Sequence, residues 1–162
     1  MSSKYKTPPK MRPTQIELAS FINDTFGFSA AMYDIIPTSE DLVVLRKHGR
    51  FFREFSPLST SYPKMAPNSC YENSAKFTWS NCPQFTYVQG FLYIPVIRAL
   101  VGHAWCVDEN NKILDPTLEP RENEIYFGIR LPLAALANLQ LRNETYDWYE
   151  DLSDIFLGAE IS

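Results

Sequence analysis

No window of this chain's 162 residues approaches the roughly 18 to 20 consecutive apolar side chains that a membrane-spanning helix needs. The opening stretch from Met1 to Lys10 carries positive charge with no apolar run behind it, so it does not read as a secretory signal, and a cytoplasmic protein is expected. Basic residues are sparse: 15 Lys and Arg stand against 19 Asp and Glu, a net charge of -4, and the longest basic stretches, Lys4 to Arg12 and Arg46 to Arg50, are short and diluted. Nucleic-acid binding draws its affinity from clustered Lys and Arg, so no nucleic-acid partner is expected. Cysteine is scarce too. Cys70, Cys82 and Cys106 cannot all pair with one another, and a reducing compartment leaves them as free thiols. A zinc site drawn from these three and His103 has no C-x-x-C spacing to support it, so no metal or other cofactor is expected. Repeats and low-complexity segments are also absent.

What remains is enough for one sizeable core and too short for two. Aromatic residues are abundant, with eleven Phe, nine Tyr and three Trp, which suits a core or a cleft built of large flat side chains. Residues 1–13, rich in Lys and Pro, are expected to form a flexible leader, and 14–162 a single domain with its functional core over 66–131.

Along the chain, Thr14 with Glu17 forms a capping-box pattern, and Leu18, Phe21, Ile22 and Phe26 recur at helical spacing before Gly27. Thr38 with Asp41 starts a second helix that runs to Gly49, and Phe51, Phe52 and Phe55 are expected to continue it beneath the cleft. Pro57, Pro63 and Pro67 make 56–69 a long loop. A helix capped by Asn68 or Ser69 follows, with Ala75, Phe77 and Trp79 available for burial, closed by Pro83. Strand patterns cover 85–95, 102–107, 112–114 and 125–131, the second and third joined by a turn at Asp108-Glu109-Asn110-Asn111. Helices are expected over 132–141 and 146–157. Helices first, then strands, give an α+β fold in which the Cys-bearing helix packs on an antiparallel sheet.

Three residues in this layout carry chemistry. Cys70 opens a helix, where unsatisfied backbone N–H groups and the helix dipole favour a thiolate, the nucleophilic form, and can also hold an oxyanion. Asn68 is the candidate side-chain donor to that oxyanion. Of the two histidines, His48 lies at a helix C-terminus, where a histidine suits the exposed carbonyls and needs no further role. His103 lies on a strand after Gly102, sharing a face with Trp105, which is expected to wall the cleft along with Tyr71. The hairpin then returns Asp115 to the neighbourhood of His103, where a carboxylate fixes the imidazole's tautomer and orientation.

Gly102-His-Ala-Trp-Cys-Val-Asp followed by Ile113-Leu-Asp-Pro-Thr resembles the second half of the transglutaminase-like core, a papain-like cysteine-enzyme superfamily. There a Cys opens a helix, a His-Ala-Trp segment follows on a strand, and an Asp-Pro-Thr tripeptide ends the paired strand. Cys70-Tyr-Glu-Asn is similar to the cysteine motif of arylamine N-acetyltransferases, which share this fold and the Cys-His-Asp order. The likeness covers about residues 66–130. The arginine and double glycine that precede the cysteine in those acetyltransferases are missing here, so the resemblance implies the triad and not acetyl-CoA chemistry. It implies a papain/transglutaminase-like fold and a cysteine-dependent acyl-group enzyme, an amide or ester hydrolase, deamidase or transamidase, acting on a peptide, protein or small amide or ester through a thioester. The plainer alternatives are a buried core thiol at Cys70 and an ordinary Asx turn at Asp115, which make the chain a binding or adaptor protein, a phage or bacterial accessory on the same fold. Cys82 and Cys106 are read as structural, and the acidic positions Asp147, Glu150, Asp151 and Asp154 as a solvated helix face.

Overall fold

The helix that opens the chain begins at Pro13, whose fixed φ and missing N–H suit a first helical position. A computed structural model describes residues 10–32, 34–121, 123–144, 146–150 and 152. Helix α1 spans Pro13–Phe26 and stops at Gly27, whose φ of 71° is the left-handed conformation a helix end uses. Its cap is two residues earlier than the Thr14 pattern suggests, at Arg12: the Gln15 side chain accepts from the Arg12 N–H at 2.8 Å. Helix α1 thus overlaps the end of the expected leader, and Met11 packs on the core; residues 1–9 lie outside those described. Strand β1 is Ala31–Met32. Helix α2, Ser39–His48, is capped as expected, with Thr38 Oγ1 accepting from the Asp41 N–H at 3.1 Å.

The aromatic stretch after Gly49 is not a continuation of α2. It forms strand β2, Arg50–Phe52, antiparallel to the last strand. Phe51 packs on the helix side and Phe52 on the opposite side, and a strand sends successive side chains to opposite faces. The proline-rich loop follows and leads into α3, Cys70–Asn81. Then come β3, Thr86–Ile94, β4, Ala99–Val107, β5, Ile113–Leu114, β6, Ile125–Leu131, and α4, Leu133–Asn143. The segment 146–150, expected as helix, is not helical, and most of 151–157 lies outside the described residues.

Among the described residues the fold is α+β, with the four helices α1 to α4 and a six-stranded sheet in the order β1-β4-β3-β6-β2, β5 adding to β4. The expected wholly antiparallel sheet is in fact mixed, because the two-residue β1 pairs parallel with the start of β4. A strand of two residues is too short to leave an alternation pattern in the sequence.

All four helices contribute to one apolar cluster on one face of the sheet. Leu18, Ile22, Leu45, Ala75, Leu136 and Leu139 meet Tyr87, Phe91, Ala104 and Phe127 there. The other face carries Phe52, Val88, Leu92, Trp105, Val107 and Tyr126. Two glycines let the central strands approach: a Cβ at Gly90 would collide with the backbone of Phe127 and Gly128, and one at Gly128 would meet the Trp105 ring at 2.8 Å.

Candidate active site

Ser69 caps α3 with its backbone but makes no side-chain cap hydrogen bond, and the first intrahelical bond runs from the Asn73 N–H to the Ser69 carbonyl at 2.8 Å. The N–H groups of the first turn therefore point outward beside Cys70 without a side-chain cap. Cys70 is partly exposed, Cys82 exposed and Cys106 buried.

His103 lies on β4 with its side chain on the face opposite the helices, and it is 5% exposed. Its Nε2 sits 2.7 Å from Asp115 Oδ2. Cys70 is among the groups that act on the same imidazole, and with Nε2 engaged by Asp115, Nδ1 is the nitrogen left to face the sulfur. Burial works to lower the imidazole's pKa, but the Asp115 carboxylate, by charge and hydrogen bond, and then Cys70 outweigh it and push His103 up to about 10. The imidazolium is the favoured form. On the partner side, burial raises the Asp115 carboxyl, while the His103 charge and hydrogen bond and the N–H groups of Leu118 and Thr117 hold it below the usual carboxylate range.

The three residues meet around an edge of the sheet. Cys70 belongs to the helix layer, whereas His103 and Asp115 share the opposite face. Strand β1 covers β4 only at Ala99 and Leu100, and β5 covers it only at Cys106 and Val107. Between them, among the described residues, that edge of β4 has no strand beside it. The Asp34 carboxylate takes the Gly102 N–H there at 3.0 and 3.1 Å. A Cβ at Gly102 would strike the Ile35 side chain and come within 3.0 Å of the Tyr71 hydroxyl, so the glycine admits these neighbours at the edge.

Asp115 follows the hairpin as the spacing predicts. Asp108 Oδ1 accepts from the N–H groups of Asn110 and Lys112, each at 2.9 Å, and Asn111 takes a φ of 60°. Pairing of Leu114 with Cys106 then puts Asp115 one step beyond, on the face of Trp105 and His103. Its carboxylate has four donors. The N–H groups of Thr117 and Leu118 reach Oδ1 at 2.9 and 3.0 Å, and the Tyr126 hydroxyl donates to Oδ2 at 2.9 Å beside His103.

Sequence reasoning misses several supporting residues. Tyr126 is one, since a tyrosine in a strand pattern reads as core. Asn73 is another: it is 3% exposed, and its Nδ2 donates to the Ala66 carbonyl at 2.7 Å and to Thr117 Oγ1 at 3.0 Å. It thus ties the loop ahead of Cys70 and the turn after Asp115 to the same helix. Lys64 donates to the Asp115 carbonyl at 2.7 Å, and the Met65 N–H to the Pro116 carbonyl at 2.8 Å. The Cys-Tyr-Glu-Asn segment was the available signal for Asn73; nothing marks Lys64.

One expectation is corrected. Trp105 does not wall the cleft, because it is wholly buried behind the imidazole, its ring stacked at 18° and 6.0 Å from that of His103 and edge-on to Tyr126 at 4.9 Å. Strand alternation put Trp105 on the His103 face correctly, but Phe52 and Tyr126 cover that face. Tyr71 and Asn68, which flank Cys70 in the chain, do line an open cavity of about 460 Å³ with Ser69, Glu72, Tyr146 and Asp147, though none of the triad lines it. Asn68 is exposed with φ 61°. Burial, then the charges of Cys70 and Asp34, raise the Tyr71 phenol's pKa. Trp79, which the helix pattern made available for burial, stays on the surface and donates to Gln140 Oε1 at 2.8 Å. Cys106 is buried between β4 and α3 against Thr78 and Ser74, and burial pushes its thiol up to about 12. His48 sits in the last turn of α2, as expected.

Among the described residues no group of three or more His, Cys, Asp or Glu side chains could hold a metal ion, and no helix is long and apolar enough to cross a membrane. Comparison with protein-family models, curated proteins and solved structures returned no match.

Proposed function

We propose that this chain is a cysteine-dependent acyl-group enzyme of the transglutaminase-like, papain-like kind, with Cys70 as nucleophile, His103 as acid and base, and Asp115 as the group that orients His103. The observation that carries this reading is the buried 2.7 Å pair of His103 Nε2 and Asp115 Oδ2, with the helix-opening Cys70 among the groups that raise the imidazole. An imidazolium beside the sulfur is the counter-ion a thiolate nucleophile needs. In the reaction, the sulfur adds to an amide or ester carbonyl, and the oxyanion that forms is held by first-turn N–H groups of α3, with Asn68 at the lip of the cavity. The intermediate collapses to a thioester as His103 Nδ1–H protonates the departing amine or alcohol. Water or an amine, deprotonated by the now neutral imidazole, then attacks the thioester and restores the thiolate–imidazolium pair. Hydrolysis, deamidation and transamidation share these steps. Substrate would lie along the cavity walled by Tyr71, Tyr146 and Asp147.

A non-catalytic adaptor is the second reading. It is favoured by a mostly apolar cavity of about 660 Å³ between α1 and α2 over Phe21, Leu42 and Val43, lined by none of the triad.

Iodoacetamide labelling at mildly acidic pH separates the two, because the exposed Cys82 serves as a reference thiol within the same molecule. The enzyme reading expects Cys70 to be alkylated far faster than Cys82, and Cys70→Ala to abolish reaction with acyl probes with little change in melting temperature. Labelling of Cys70 no faster than Cys82 would remove the nucleophile and leave the adaptor.

A further inference from the structure

We infer that Tyr126 is a positioning residue of the same relay, a second donor on Asp115 Oδ2 that limits how strongly the carboxylate binds the imidazole. The inference rests on the reading of Cys70, His103 and Asp115 as a triad. Its basis is geometric. The Tyr126 hydroxyl and His103 Nε2 converge on one oxygen, at 2.9 and 2.7 Å, while the other oxygen is held by two backbone N–H groups of the turn. The phenol is wholly buried and its ring is packed against Trp105 and Phe55, so the hydroxyl has a fixed aim. Two donors on one oxygen weaken each other, because each draws on the same negative charge.

That competition has a use in acyl transfer. His103 must hold a proton while the leaving group departs and must release it so that the second nucleophile can be deprotonated. A carboxylate with no other partner on Oδ2 would keep the imidazole protonated and stall the second half. The titratable and charged groups around the ring are Asp115 after β5, Cys70 on α3, and Tyr126 and Glu124 at the start of β6; Arg121 in turn faces Glu124 and Tyr126. Tyr126 is the neutral donor in this set, so it can temper the carboxylate without adding charge. Tyr126→Phe removes the hydroxyl and keeps the ring.

The test is proton NMR of the full chain labelled at histidine, which has two such residues, His48 and His103. In Tyr126→Phe the hydrogen-bonded Nε2 proton of His103 should move downfield and the ring should titrate at higher pH than in the wild type. Placing 3-fluorotyrosine at position 126, a stronger donor of nearly the same size, should move both in the opposite direction, and it serves if the Phe variant does not fold. A lower melting temperature with an unmoved His103 signal in either protein would overturn the inference, since a tyrosine that only fills space would do that. The His103 signal is read whether or not Cys70 is reactive, so failure here is distinct from failure of the enzyme reading, which the alkylation rate decides.

Discussion

Replacing Asp115 by Asn changes one atom and reverses the polarity of one contact. The new side chain can keep its oxygen on the Thr117 and Leu118 N–H groups, but its NH2 then faces two donors, His103 Nε2–H and the Tyr126 hydroxyl. His103 relieves the clash by carrying its proton on Nδ1 instead, the nitrogen that should take the thiol proton. Asp115 is the first of the groups that raise the imidazole against the effect of burial. Breaking a buried charge pair by removing one partner costs ~3–5 kcal/mol. The rate of Cys70 alkylation by iodoacetamide near pH 6, read by mass spectrometry at that residue, should fall by about a hundredfold or more. Stability supplies an independent check whose sign is fixed. The His103 contribution is complete below the unfolded value of 6.5 and fades as pH rises toward 10. The Asp115 contribution is complete above its unfolded value of about 3.9 and fades in acid. The wild type should therefore exceed Asp115→Asn in melting temperature most between pH 4 and 6.5, with the gap closing on both sides. Alkylation within threefold of wild type, or a gap that widens above pH 8, would refute the argument.

Two further outcomes test the scaffold. Asn73→Ala removes both bonds that tie the pre-Cys70 loop and the Asp115 turn to α3, each worth about 0.5–1.5 kcal/mol net; chemical denaturation should show that loss, together with slower Cys70 labelling, although Asn73 is not assigned to touch substrate. Gly90→Ala drives a Cβ into the backbone of β6, where neither Phe127 nor Gly128 can yield as a flexible side chain could; a loss above about 4 kcal/mol, seen as failure to recover folded protein, is expected.

How much of this could be read from the residues varied with the length of each signal. The capping pair Thr38 and Asp41, Gly27 as a left-handed stop and the β6 boundaries all emerged because each rests on local chemistry. Asp115 fell beside His103 because a tight hairpin has few possible registers, and Asp108 fixes this one through two side-chain bonds to the turn. The errors have a common source. Phe51 and Phe52 form a strand only because β6 offers an edge at Arg50 to Phe52, and β1 exists only because β4 does. Trp105 was placed on the correct face but in the wrong environment, since alternation says which residues share a side and not what covers it. The tail gave no helix at 146–150 because Gln89, buried at the centre of β3, clamps the Tyr149 backbone at 2.8 and 3.0 Å, a tertiary bond between residues 60 positions apart.

The arrangement at the edge of β4 also accounts for a feature that no single motif predicts. A helix tip on one face of a sheet and an imidazole on the other can meet only where the strand between them has no neighbour. Extending β1 or β5 by a few residues along β4 would restore ordinary pairing and add hydrogen bonds, yet it would fill the gap between Leu100 and Cys106 with backbone. In its place the Asp34 carboxylate takes the Gly102 N–H, satisfying the exposed edge with a side chain rather than a strand. The edge is thereby kept paired at one point and open beside His103. Short β1 and β5 leave β4 without a strand partner at Gly102 and His103 on this edge among the described residues, so regular pairing is interrupted at the position where His103 sits.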